Sequence, residues 1–189
     1  MVKSSNINQI PVFGVETSIP PTCGGLSYDH IEYYEESKLG VRIRYHGPSF
    51  IRADAYLYDL GIPNITDDFT SSEVMQCYQE ACQNVFKAAE MGIYLDLESV
   101  NSQFLYLPQD APDPFCLWAI FTFNQPPGPD VLFTGKQMSH IALRTDRGFI
   151  NKVRYSYPFS EEMVEVKLNG FLTFWVEWTV AVQKFGCKE

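Results

Sequence analysis

Basic residues are scarce in this chain. Among its 189 residues, 14 Lys and Arg stand against 23 Asp and Glu, so the formal net charge at pH 7 is −9. Proteins that bind nucleic acid without sequence preference use a basic surface to neutralise the phosphates. The charge balance therefore predicts no nucleic-acid partner.

Metal ligands and catalytic motifs are sparse as well. The three histidines, His30, His46 and His140, are scattered along the chain and do not have the spacing of a metal site. No Gly-x-Ser-x-Gly sequence is present, and the glycines at 24–25 lack the lysine and spacing of a phosphate-binding loop. We predict no metal, no cofactor and no assigned catalytic residue. A small hydrolase or transferase with a His/Cys site around His140 and Cys116 remains an alternative.

Long hydrophobic runs are missing too. The most apolar run, 171–182, is shorter than the ~20 residues that span a bilayer, and residues 1–11 lack the apolar stretch of a secretory signal. A cytoplasmic, soluble protein without a membrane span is predicted. The five cysteines are odd in number and include no CxxC pair, so we expect free, mostly buried thiols.

Apolar residues are plentiful, at 46% of the chain with 15% aromatics. A chain of this length buries roughly 70% of its unfolded surface when it folds as one domain. We therefore predict a single domain over 1–189, with an extended segment and short strands over 1–38 and a core over 40–186.

Alternation of apolar and polar residues predicts a β-hairpin over 40–58. The continuously apolar segment 115–123 predicts a central strand covered on both faces. The remaining strand-like segments are 94–100, 104–107, 138–145 and 149–157.

Two long helices are predicted, one over about 71–91 and one over about 160–184. The first has a capping sequence and an apolar stripe at helical spacing. The second carries aromatic residues around most of its circumference, so we expect burial on more than one side or an interface, such as a homodimer that buries Trp175 and Trp178. Short turns between the strands favour an α+β fold: an α/β/α sandwich with a mostly antiparallel sheet.

Four segments carry a resemblance to a known group of proteins: 40–45, 52–59, 139–143 and 149–158, in the order hairpin, helix, strands and helix. The chain resembles uncharacterised bacterial proteins with the α/β/α sandwich of PsbP and of the Mog-type Ran-binding import factor. This resemblance implies a noncatalytic binding or assembly factor. It offers no binding motif, so it implies no functional residue.

Arginine is confined to two windows, 42–52 and 144–154, which together hold all six arginines. On alternating strands, several of these side chains share a face with tyrosines and a lysine. Such a face would bind a carboxylate, a phosphate or an acidic protein. The candidate site residues are Arg42, Arg44, Tyr56, Tyr58, Arg144, Lys152 and Arg154.

The alternative interpretation of these arginines is that they pair with acidic residues across the sheet. The acidic residues considered are Glu32, Glu35, Asp54 and Asp59. If the arginines are exposed instead, charge reversal of Arg44 and Arg154 is expected to leave stability nearly unchanged. The leading hypothesis is a noncatalytic domain that binds a protein partner or a small anionic ligand at the Arg/Tyr face, with an enzyme or a structural homodimer as alternatives.

Overall fold

Eight strands form one antiparallel sheet in the computed structural model, which describes residues 9–12, 15–62, 65–68, 70–128 and 131–184. The strands are β1 (Gln9–Val12), β2 (Val15–Ser18), β3 (Thr22–Cys23), β4 (Leu26–Tyr33), β5 (Val41–His46), β6 (Arg52–Tyr58), β7 (Leu95–Leu105), β8 (Cys116–Gln125), β9 (Gly135–Asp146) and β10 (Phe149–Pro158). The sheet order is β3-β4-β5-β6-β10-β9-β8-β7, and β1 pairs with β2 in a separate hairpin. Cys187 lies outside the described residues.

Two long helices, α1 (Ser72–Glu90) and α2 (Val164–Lys184), cover opposite faces of the sheet. Alternate residues of each strand point to opposite faces, so the sheet supplies two separate cores. Helix α1 packs in the core that contains Leu117 and Phe121, whereas α2 packs in the core that contains Ile43 and Val153. The predicted α+β sandwich with a mostly antiparallel sheet is therefore confirmed.

Helix α1 forms where its sequence predicts. The hydroxyl of Ser71 accepts a hydrogen bond from the backbone N–H of Val74 at 3.5 Å and caps the first turn. The buried residues Val74, Tyr78, Ala81 and Val85 recur every three or four positions. They form the apolar stripe that faces the sheet.

Helix α2 is buried on one side, so the expectation of burial on more than one side was wrong. Its inward stripe contains Phe171, Phe174, Trp175, Trp178 and Val182, all close to fully buried. The opposite side, including Val176 and Val180, is exposed to solvent. Because both tryptophans are in the core, they are not available to a dimer interface. In the described part of the chain, no helix is both long and apolar enough to cross a membrane.

Strand β7 differs most from the sequence-based expectation. The segments 94–100 and 104–107, predicted as two strands, form one continuous strand with two irregularities in its pairing to β8. Its residues are mostly exposed because it is the last strand of the sheet. Strand β8 is buried on both faces as predicted, although it is second from the edge and not central.

Strand β4 brings the N-terminal segment into the sheet. Residues 27–33 of β4 pair with residues 41–46 of β5, with Ile31 opposite Ile43 and Glu32 opposite Arg42. The sheet therefore begins before residue 40, where the core was expected to start.

Candidate functional site

Six of the seven candidate residues lie on the sheet face that α1 covers. Strand β6 lies between β5 and β10, and the pairing aligns their side chains in rows across the three strands. One row consists of Arg42, Tyr56 and Lys152, and the next consists of Arg44, Asp54 and Arg154. Tyr58 is two residues beyond Tyr56 and shares its face.

Helix α1 leaves this part of the face open. Its apolar stripe packs mainly on β8 and β9, through residues such as Phe121 and Leu143. The same face of β5, β6 and β10 carries long polar side chains instead. A cleft therefore forms between the flank of α1 and these strands.

Arg42 and Arg44 are held by carboxylates. The Arg44 Nε lies 2.7 Å from Asp54 Oδ1, and the Arg52 Nε lies 3.2 Å from Asp54 Oδ2. Arg42 pairs with Glu32 across β4 and β5. These arginines form the structural ion pairs that the alternative interpretation predicts.

The expectation that charge reversal of Arg44 leaves stability nearly unchanged applied to exposed arginines, and Arg44 is instead mostly buried and paired with Asp54. Asp54 is buried, with 4% of its side chain exposed, and Arg44 supplies one of its two ionic partners. We expect Arg44→Met to lower the free energy of unfolding by about 1–3 kcal/mol, because one carboxylate oxygen loses its charged partner. Urea denaturation measures this change.

Lys38→Met is the matched control for Arg44→Met. The Lys38 Nζ lies 2.9 Å from Glu36, but more than half of each side chain is exposed. Loss of such a surface pair is expected to change stability by less than about 1 kcal/mol. Equal effects of the two substitutions would contradict a stabilising role for the ion pair between Arg44 and the buried Asp54.

Lys152 and Arg154 differ from the other basic residues of this face. Within the described ranges, neither makes an ion pair with a carboxylate. The Lys152 Nζ lies 4.2 Å from the ring centroid of Tyr56 and 5.5 Å from that of Tyr58. The Arg154 guanidinium lies 5.2 Å from the ring of Tyr94, and its Nε donates to Ser139 Oγ at 3.0 Å. Their positive charge remains open to an added anion.

A cavity of about 240 Å³ lies against Lys152, between α1 and the sheet. A second cavity, of about 180 Å³, is also lined by Lys152 and extends to Arg154. The polar residues that line the first cavity are Tyr34, Tyr56, Tyr58, Cys77, Glu80, Asn84 and Lys152. Lys152 thus lines both cavities, beside three phenols in the first cavity and beside Arg154 and Tyr56 in the second.

Burial determines the protonation of this pocket. Burial, together with the positive charge of Arg154, lowers the pKa of Lys152 to about 8. Burial, with a smaller contribution from Asp54, raises the pKa of Tyr56 to about 12. It also raises the pKa of Tyr58 and of the Cys77 thiol. At neutral pH the phenols and the thiol are therefore uncharged.

Arg144 does not belong to this site, and its inclusion among the candidates is corrected. It pairs with Asn151 across β9 and β10, which places it on the α2 face. Its Nε lies 3.2 Å from Asp146 Oδ2, and its Nη1 donates to the carbonyl of Phe115 at 3.3 Å. Arg144 is thus a structural residue of the opposite face.

The contribution of α1 was missed in the sequence. Cys77, Glu80 and Asn84 are spaced at three and four residues and line the cavity from the helix side. They flank the apolar stripe of the helix. This polar flank is the signal that could have identified them, but only the helix position shows which strands it faces.

His140 and Cys116, around which an alternative enzyme site was predicted, lie inside the core on the α2 face. His140 accepts from Trp118 Nε1 at 3.2 Å and bonds Tyr157 through its other nitrogen at 2.9 Å. Burial lowers the pKa of His140 to about 3 and raises that of Cys116 to about 12. Both side chains are almost fully buried and neutral. This geometry provides no accessible His/Cys pair at these positions.

The described residues contain no group of three His, Cys, Asp or Glu side chains placed to hold a metal ion.

Comparisons of the chain with protein-family models, with curated proteins and with solved structures find no match. The resemblance to PsbP-like and Mog-type sandwiches therefore stays a prediction.

Proposed function

We propose that the protein is a noncatalytic binding domain that takes a small organic anion into the cleft between α1 and the sheet. The observation that carries this proposal is the position of Lys152, which lines this cavity and, among the described residues, makes no ion pair with a carboxylate, although Glu80 lines the same cavity. A half-buried cation without a counter-ion is costly, and an anionic ligand would supply the missing charge.

The second cation favours a carboxylate or phosphate ligand. Arg154 lies two residues from Lys152 on the same face of β10, and both line the smaller cavity. The Arg154 Nε is bonded to Ser139, so its terminal nitrogens remain for a ligand. Two residues along a strand span roughly 7 Å, a distance that suits two polar groups of one small molecule.

The surroundings favour a small ligand over an acidic protein surface. Arg42 and Arg44, which an acidic partner would need, are already paired with Glu32 and Asp54. Lys152 is half-buried below the rim of the cleft, with Tyr56 and Tyr58 beside it. The aromatic walls would contact the carbon skeleton of an organic anion while the cations bind its charged end.

Removal of the Lys152 charge tests this proposal. We expect Lys152→Met to weaken binding of a small carboxylate such as lactate, or of inorganic phosphate, at least about tenfold. The reason is that a charge-assisted hydrogen bond to the ligand is lost. Isothermal titration calorimetry at pH 7 on the full chain measures the change.

The pH dependence should follow the same lysine. Lys152 is protonated below its pKa of about 8, so affinity is expected to be highest below pH 8 and to fall as the pH rises above it. In Lys152→Met the affinity should no longer show this fall.

Lys136→Met is the matched control. Lys136 is exposed on β9, and its Nζ lies 4.8 Å from the ring of Phe159. It therefore has the same charge and a similar aromatic neighbour but lies outside the two cavities that Lys152 lines. Its substitution should leave binding within about twofold. Equal weakening by both substitutions would show that only the net charge of the protein matters, and it would contradict the proposal. Absence of binding by the unaltered chain would contradict it as well.

A further inference from the structure

We propose that Lys152 captures its ligand covalently, as a reversible imine with a small oxo acid that carries an aldehyde or ketone beside its carboxylate. This inference rests on the proposed function, because the carboxylate is held by the same cleft. It adds a chemical step and a ligand class to that binding.

The geometry presents Lys152 as a nucleophile. Its backbone is fixed in the middle of β10 between β6 and β9, and its amine stands against two cavities. The tyrosine rings at 4.2 and 5.5 Å limit its contact with water on one side. In the described structure no carboxylate binds the amine, so it is free to approach a carbonyl carbon.

The charges around the amine decide how readily it loses its proton. Arg154 disfavours the ammonium, whereas Asp54 favours it. The carboxylate of Glu80, the uncharged thiol of Cys77 and the neutral phenols of Tyr34, Tyr56 and Tyr58 also line the first cavity. Burial and Arg154 together outweigh Asp54 and lower the pKa of Lys152 to about 8. About a tenth of the amine is therefore uncharged at pH 7, far more than for a solvated lysine.

The reaction balances without another reactant. The neutral amine of Lys152 attacks the carbonyl carbon, a new C–N bond forms, and the carbonyl oxygen becomes a hydroxyl group. The first amine hydrogen moves to that oxygen, and loss of the hydroxyl with the remaining amine hydrogen releases one water and leaves a C=N bond. The phenol of Tyr56 is protonated and lines both cavities with Lys152, so we assign to it the proton that assists departure of the hydroxyl. Water reverses the reaction, so the ligand is released unchanged.

Arg154 sets the ligand class. A carboxylate bound by its terminal nitrogens would place a neighbouring carbonyl toward Lys152, since the two side chains line one cavity. A 2-oxo acid of three or four carbons has these two groups on adjacent atoms. Neutral aldehydes would lack the contact with Arg154.

Reductive trapping tests the imine. The full chain is incubated with pyruvate and cyanoborohydride, which reduces a C=N bond to a stable amine, and the modified lysines are mapped by peptide mass spectrometry. We expect label on Lys152 at least about tenfold faster than on Lys136 at pH 7, because the uncharged fraction of an amine rises tenfold per unit fall in pKa. Lactate, which has a hydroxyl in place of the oxo group, should give no label.

Two variants separate the covalent step from simple binding. Lys152→Arg keeps a positive charge but forms no imine, so it should lose the trapped adduct while binding lactate more tightly than Lys152→Met does. Lys136→Arg should still form the adduct at Lys152. Labelling of Lys152 should also increase as the pH rises toward 8, because the uncharged fraction of its amine increases. Anion binding, which needs the charged amine, should instead weaken as the pH rises.

The outcomes distinguish a failure of the imine from a failure of the anion-binding function. Binding of lactate and pyruvate without an adduct at Lys152 would overturn the imine and leave the proposed function intact. Equal labelling of Lys152 and Lys136 would also overturn the imine. An adduct at Lys152 in a chain that does not bind lactate would support the reactive lysine and contradict the anion-binding function.

Discussion

Trp178→Ala is expected to lower the free energy of unfolding by about 3–5 kcal/mol. Trp178 is fully buried under the sheet, and its ring lies 6.1 Å from that of Tyr45. Its indole N–H donates to Asn151 Oδ1 at 2.9 Å. Truncation would therefore leave a large cavity in the α2 core and remove the donor to the buried Asn151 Oδ1. Chemical denaturation monitored by circular dichroism measures the loss.

Val180→Ala is the control on the same helix. Val180 is 44% exposed on the outer side of α2, so its truncation removes little buried surface. We expect a change within about 0.5 kcal/mol. A denaturation midpoint that is unchanged in Trp178→Ala would place that tryptophan outside the core and contradict the position of α2.

Gly40→Ala is expected to destabilise the fold by at least about 3 kcal/mol. Gly40 ends the short 3₁₀ turn before β5 and has φ +63° and ψ −128°, a combination that residues with a side chain rarely adopt. A Cβ atom here would overlap the backbone carbonyl of Leu57 on β6. Because the obstacle is backbone of a paired strand, the clash can be relieved only by moving β5 or β6. Thermal or urea unfolding measures the effect.

Gly148→Ala separates the clash from the backbone conformation. Gly148 also has a positive φ, of +80°, but nothing lies within 4 Å of its added Cβ. Its substitution is expected to cost only about 1–2 kcal/mol, the ordinary penalty of the left-handed conformation. If Gly40→Ala costs no more than this control, the close approach of β5 and β6 at Leu57 is wrong.

Local patterns predicted most of the elements. The alternation along 41–45 and the capping serine of α1 act between neighbouring residues, so they can be recognised without the fold. The two segments within 94–107 were predicted as separate strands because β7 lies at the sheet edge, where exposure weakens the alternation. The wide distribution of apolar residues around α2 led to the prediction that more than one side is buried, because exposed valines were counted with the buried aromatic residues.

The candidate site was predictable only in part. Strand periodicity correctly places Arg42 with Arg44 and Lys152 with Arg154 on shared faces. It does not show that β6 lies between these strands, or that Asp54 and Glu32 occupy two of the arginines. Arg144 was misplaced because the face of one strand relative to another depends on pairing register, which sequence spacing does not contain.

The sequence by itself determined the fold class, the two helices and which residues of one strand share a face, since these follow from propensity and periodicity over short distances. Only the tertiary structure decided which cations remain available. That depends on strand order, on the seating of α1 over β8 and β9, and on contacts between residues far apart in the chain. Lys152 faces a cavity because α1 packs mainly on β8 and β9 and leaves a gap beside β6 and β10, whereas Arg44 pairs with Asp54 because their strands are neighbours.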